Sequence, residues 1–306
     1  MQPPRATRRA FLRRSTLLAA GAACLPRSAL FGAPGKRHPL FDGKSLAHWK
    51  PIPRSSLPPA PGGGYALPAN LSPEEIAKRK KILANSGRWT VENGVVIGGQ
   101  EPPGSGLGAY LLSEEKFGDF ELEIEANPDW CADTGIMLRA GPTGAVGWQL
   151  TVDHRPNGSI GGIYGNGIGS FRCFPFVIDA EIDANRVPVK MLAGTNPSAL
   201  PLVPPHFSAP VAEFLRVWKP GGWNRIKARV VGAIPTITTW INDVKMCEVD
   251  AAKLSAPGYD PAKVAERLGP RGHLALEVHN NDPRVGNERW WPGAVCRWRN
   301  AFITEL

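Results

Sequence analysis

Glu277 and His279 stand two residues apart in HLALEVHN (273–280), a run with the alternation of a strand. Residues at that spacing share one face of a strand. A carboxylate beside an imidazole on so rigid a support is half of a metal site or of an acid–base couple. Glu123 and Glu125 repeat the spacing in FELEIEAN, where Phe120, Leu122, Ile124 and Ala126 take the opposite face. They read equally as working carboxylates or as the solvated side of a half-buried strand. Asp153 and His154 come at a strand end before a loop, a common place for reactive side chains. Tyr164 lies in the glycine-rich segment GGIYG, where it would stack on a ring, donate a proton or pack in the core.

The elements that would carry these residues are short strands. Besides the two runs above, alternation marks GIMLRA (135–140), GWQLTVD (147–153), NRIKARVV (224–231), TITTWIND (236–243) and CRWRNAFITEL (296–306). Most are separated by Gly, Pro, Asn or Asp, and long helical periodicity is almost absent. That pattern predicts an all-β fold, an antiparallel sandwich or jelly roll with short helical insertions. Residues 50–71 are rich in proline and glycine and run into SPEEIAKRKKIL, where Ser72 as cap and Pro73 at the first position predict a helix. Residues 186–216 read as a long excursion near one rim, and APGYDPAKVAERL (256–268) as a second brief helix.

The N-terminus is an address. Arg8 and Arg9 precede Phe11 and Leu12, and a short apolar run from Ser15 to Leu25 follows, which together predict a twin-arginine export signal over residues 1–34 and a mature domain over 35–306. A periplasmic or extracellular location follows, with the twin-arginine machinery as the precursor's partner. Cys24 is a candidate lipid anchor, although Gly21 stands where a branched residue is usual. The net charge of +9 owes much to six leader arginines, and no interleaved basic–aromatic stripe remains, so nucleic acid is not expected as a partner. Cys131, Cys173, Cys247 and Cys296 are too widely spaced for a structural zinc site and leave disulfides and buried thiols equally open.

LFDGKSLAHWK (40–50), GRWTVENGVVIGG (87–99), KFGDFELEIE (116–125), TGIMLR (134–139), GWQLTVD (147–153), GGIYG (161–165), KPGGWNRIKARVVG (219–232), WINDV (240–244) and WRNAFITEL (298–306) occur in the order of one family. The chain resembles the 3-keto-disaccharide hydrolase domain family over nearly its whole mature length. The resemblance implies a concanavalin A-like jelly roll and an enzyme that cleaves glycosides whose glucose unit is oxidised at carbon 3. A 3-keto group acidifies the hydrogen on carbon 2, so the group on carbon 1 can leave by elimination, and water then adds back. That route needs a base, positive charge or hydrogen bonds at the enolate oxygen, and a proton source for the leaving oxygen. A divalent cation, with calcium, manganese and zinc not distinguished, would serve the second need.

The resemblance implies that the polar residues of four strands face the site, here Glu123, Glu125, Arg139, Gln149, Asp153, Glu277 and His279. His279, Glu277, Glu125 and Asp153 are then the catalytic candidates, with His279 and Glu277 also the metal candidates. Arg139, Gln149, Glu123, Tyr164 and His154 would contact an oligosaccharide or glycoside substrate. Relatives often carry Gln in place of Glu277, and Glu in place of Gln149 with Gln in place of Thr151. Glu181 and Asp183 imitate the start of the E-x-D-x-x-E signature of laminarinase-type glucanases, but Arg186 replaces the final acid. The alternative is a non-catalytic, lectin-like carbohydrate-binding module, which needs stacking aromatics more than carboxylates.

Overall fold

The computed structural model describes residues 35–61, 65–195 and 202–306. The expected export leader, residues 1–34, and the candidate lipid anchor Cys24 lie outside the described residues. The first elements are β1 (His38–Pro39), β2 (Trp49–Pro53) and, beyond the proline-rich stretch, helix α1 (Pro73–Leu83). Local chemistry makes α1: Ser72 Oγ accepts from the Glu75 N–H, the Glu75 carboxylate accepts from the Ser72 N–H at 2.9 Å, and Pro73 presets the first turn. The helix buries none of its residues.

Two strands, β3 (Arg88–Glu92) and β4 (Val95–Gly99), form a hairpin about Asn93 and Gly94, whose φ angles of 52° and 80° suit the strand twist. Five strands follow in quick succession: β5 (Ala109–Phe117), β6 (Phe120–Pro128), β7 (Ala132–Ala140), β8 (Gly147–His154) and β9 (Ile160–Asn166). The excursion then holds β10 (Arg172–Cys173), the small hairpin β11 (Ile178–Ile182) with β12 (Pro188–Ala193), β13 (Phe207–Ser208) and α2 (Val211–Val217). A meander of β14 (Asn224–Val231), β15 (Thr236–Ile241) and β16 (Val244–Asp250) leads to α3 (Pro261–Leu268), capped by Asp260. The chain closes with β17 (Gly272–Val278) and β18 (Val295–Glu305).

Two large antiparallel sheets result, beside the two-stranded β11–β12 sheet. One has the order β13-β16-β15-β14-β6-β18-β4-β3, with β1 added on β18, and the other the order β10-β9-β8-β7-β17-β5-β2. Alternation puts Leu122, Ile124, Ile226 and Val230 of the first against Ile136, Leu138, Leu150, Val152, Leu276 and Val278 of the second, all essentially buried. The fold is the expected all-β jelly-roll sandwich. Cys131, Cys173, Cys247 and Cys296 are buried free thiols within it.

The second sheet is not bare on its other face. Ile52, Tyr110, Leu112, Met137 and Ala275 make a separate apolar cluster there, and beyond it the same face turns polar.

Candidate functional site

The polar part of that face forms a cavity of about 220 Å³. Strand β8 sends Gln149, Thr151 and Asp153 into it, because Trp148, Leu150 and Val152 are spent on the core. Strand β7 adds Asp133, which the register sets directly opposite Asp153, and β9 adds Tyr164, opposite Gln149. Arg54 follows β2, Arg155 and Asn157 follow β8, and Arg172 comes from the short strand β10. The loop between β17 and β18 supplies His279, Asp282, Arg284 and Arg289. That loop is fastened to the sheet by the Asp133 N–H, which donates to the Arg289 carbonyl at 2.9 Å.

Charges in the cavity are largely paired. Arg289 donates to Asp133 Oδ2 at 2.6 Å and lies 3.0 Å from Asp282 Oδ2. Arg155 donates through Nη2 to Asp153 Oδ2 at 2.9 Å and sets Nε 2.8 Å from Oδ1. The two facing aspartates part in behaviour. For Asp133 the charges of Arg289 and Arg155 and the hydrogen bond from Arg289 outweigh the cost of burial and hold the carboxyl far below the usual range. For Asp153 burial prevails, reinforced by the ionised Asp133, and the carboxyl is pushed up to about 7 against Arg155 and Arg289.

Glu277 is fully buried beneath this layer. Its Oε1 accepts from Arg54 Nε at 2.5 Å and its Oε2 from Gln149 Nε2, while burial raises its pKa. The same guanidinium donates to Asn280 Oδ1 and lies with Nη2 2.9 Å from His279 Nε2. His279 Nδ1 is 2.6 Å from the Asn280 carbonyl oxygen and so carries the ring proton, leaving Nε2 to accept from Arg54. Burial, with the Arg54 charge beside it, drops His279 to about 3, and the ring is neutral.

These contacts decide the fit of a divalent cation. Arg54 lies between Glu277 and His279 and uses the lone pairs a metal would need, so the two side chains form a cradle for a guanidinium, not for a cation. Among the described residues no group of three or more His, Cys, Asp or Glu side chains is arranged to hold a metal ion.

Of the residues expected from sequence, Gln149, Asp153, Tyr164 and His279 line the cavity and Glu277 supports it from below. Four others are elsewhere. Glu123 and Glu125 do share a face, but β6 belongs to the opposite sheet, and that face looks outward. Glu125 accepts from Arg299 at 2.7 Å and from Asn300 at 3.0 Å, and Glu123 lies 3.7 Å from Arg37. Arg139 is at the far end of β7, buried, where it donates to Asp119, Gly118 and Gly232 and fastens a corner. His154 is next to Asp153, so the strand turns it to the core face, against Trp130 and Trp218 at centroid distances of 4.9 and 5.6 Å. Glu181 is an exposed member of β11, paired with Lys190 at 3.4 Å, and lines no part of the cavity.

Asp133 escaped the sequence reading because β7 begins three residues before the run GIMLRA; ADTG continues its alternation and carried the signal. The arginines and Asp282 had no such signal, since most lie in loops without period.

Fold and site together define an antiparallel sandwich with a polar, arginine-lined cleft on one sheet. The chain belongs to the 3-keto-alpha-glucoside-1,2-lyase-like domain family, which matches residues 36–304. It is accordingly a carbohydrate-active protein. No curated protein sequence matches it. Among solved structures it is similar to a candidate glycosyl hydrolase from Parabacteroides distasonis, with 16% identity, 89% of this chain and 100% of that one covered, and a TM-score of 0.45. It is also similar to the carbohydrate-binding module CBM66 from Bacillus subtilis, at 10% identity, 70% and 89% coverage and a TM-score of 0.37.

Proposed function

We propose that this protein cleaves 3-keto glycosides by elimination followed by hydration, outside the cytoplasm as its twin-arginine leader suggests. The observation that carries the reading is the cross-strand pair Asp133 and Asp153 set among arginines in one small cavity. Asp153, with its raised pKa, is the group able to take a proton and return it near neutral pH. It removes the proton from carbon 2. The electron pair passes into the ring carbonyl as an enolate, then returns to break the bond between carbon 1 and the leaving oxygen, which takes up a proton.

The arginines of the cavity supply positive charge where the enolate forms, the task a metal would otherwise perform. The proton that Asp153 takes from carbon 2 passes to the leaving oxygen, which restores the carboxylate. Water then adds across carbons 1 and 2, its hydroxyl to carbon 1 and its proton to carbon 2, which regenerates a 3-keto sugar. His279 stays neutral and anchors Arg54.

The test is product release from 3-keto-trehalose by wild-type protein and by Asp153→Asn, each with and without prior chelation. The reading expects turnover that survives chelation and falls in Asp153→Asn by roughly 100-fold or more. Saturable binding without any cleavage by wild-type protein would instead make it a binding module.

A further inference from the structure

A second hollow of about 520 Å³ lies beside the cavity and shares Arg54 and Asp282 with it. Its outer wall is α1. The basic run 78–81 on that helix points three of its four side chains, Lys78, Arg79 and Lys81, at the hollow, with Ile82 among them. Favourable placement near a helix C-terminus explains basic residues in the last turn in general, but not why these three line one groove.

The other ionisable groups facing the hollow are already satisfied. Arg54 is held by Glu277 at 2.5 Å. Asp282 lies 3.0 Å from Arg289 and accepts from the Arg284 and Val285 N–H groups at 3.0 and 3.3 Å. Lys78, Arg79 and Lys81 form no ion pair with a carboxylate among the described residues. Glu75, one turn before Arg79, makes its hydrogen bonds with the Ser72 cap and feels the Arg79 charge without a direct ion pair. Three cations therefore face a groove that adjoins the cavity at Arg54 and Asp282.

Resting on the elimination reading above, we infer that this groove is the leaving-group subsite and that it takes an aglycone bearing an anionic oxygen group, a carboxylate, sulfate or phosphate. Such a group would answer the α1 cations in the substrate complex, and steering by them would raise the encounter rate at low salt.

Full-length protein is assayed with the 3-keto glucoside of 4-hydroxybenzoate and that of its neutral amide. The anionic substrate is expected to show about tenfold higher kcat/KM, with the advantage shrinking as salt is raised to about 0.5 M. Lys78→Gln combined with Arg79→Gln and Lys81→Gln should bring the two substrates toward parity. Because α1 buries no residue, that variant should fold. Equal kcat/KM for the two substrates in wild-type protein, or an advantage that persists in the triple variant, overturns the subsite. If neither compound is cleaved the elimination reading fails, and calorimetric titration with the same two glucosides decides the groove separately: tighter binding of the acid keeps it, and equal affinity overturns it.

Discussion

Asp153 and Asp133 are the same residue type, one strand apart, yet burial prevails at one and neighbouring positive charge at the other. This difference makes pH a probe. If ionised Asp153 is the base, kcat/KM should rise with pH through a midpoint of about 7, and Asp153→Asn should abolish that rise along with most activity. A profile flat from pH 5 to 9 in wild-type protein would remove Asp153 from the role. Arg54 allows a second test at this scale. Glu277 is wholly buried, with hydrogen bonds from Arg54, Gln149 and Tyr110, so Arg54→Met should cost about 3–5 kcal/mol by taking the paired charge from a buried carboxylate. Adding Glu277→Gln should restore much of the melting temperature without restoring activity. A double variant no more stable than the single one would mean that the ion pair is not what Arg54 contributes.

At the scale of elements, two neighbouring strands carry most of the chemistry, and their spacing depends on a glycine. A Cβ on Gly135 of β7 would lie 2.7 Å from the Leu150 carbonyl oxygen and 2.8 Å from Gln149 Nε2. The first atom is backbone and cannot swing aside. Gly135→Ala should therefore push β8 outward, cost about 1–3 kcal/mol and lower turnover by misplacing Gln149 and Asp153 together. Unchanged melting and turnover would show that the pair of strands tolerates the shift. By contrast α1 stands on its own capping box and contributes only the side that faces the hollow.

The whole molecule responds to acid through a histidine outside the site. His154 lies between Trp130 and Trp218, and burial drops it to about 4 from an ordinary value of 6.5. Below pH 6.5 the unfolded chain takes up a proton that the folded one refuses, so stability falls as pH drops from 6.5 toward 4, by about 3 kcal/mol for this group. Asp153 has the opposite sign, since its raised pKa makes the fold gain stability as pH falls from 7 toward 4. Comparison with His154→Phe cancels that contribution. The stability advantage of wild-type protein over His154→Phe, from denaturant titrations, should be smaller at pH 4 than at pH 7 by that amount; a constant difference would contradict a buried neutral ring.

Local order was legible in the sequence because its causes are local. Alternation set the strands and their buried sides, Ser72 and Pro73 set α1, and the order of motifs from FDGKSL to RNAFITEL carried the family. The same alternation showed that Glu123 and Glu125 share a face, and that Glu277 and His279 do too. Period two reports only that a face is shared, however; which sheet a strand joins and which side of it is covered depend on pairing between residues far apart in the chain. Tertiary structure alone therefore decided that β6 turns its glutamates outward, that Arg54 reaches across more than two hundred residues to Glu277, and that loop arginines without any period gather around Asp133 and Asp153. Such groups are brought together by closure of the sandwich, and no local pattern records a contact that exists only once the sheets have packed.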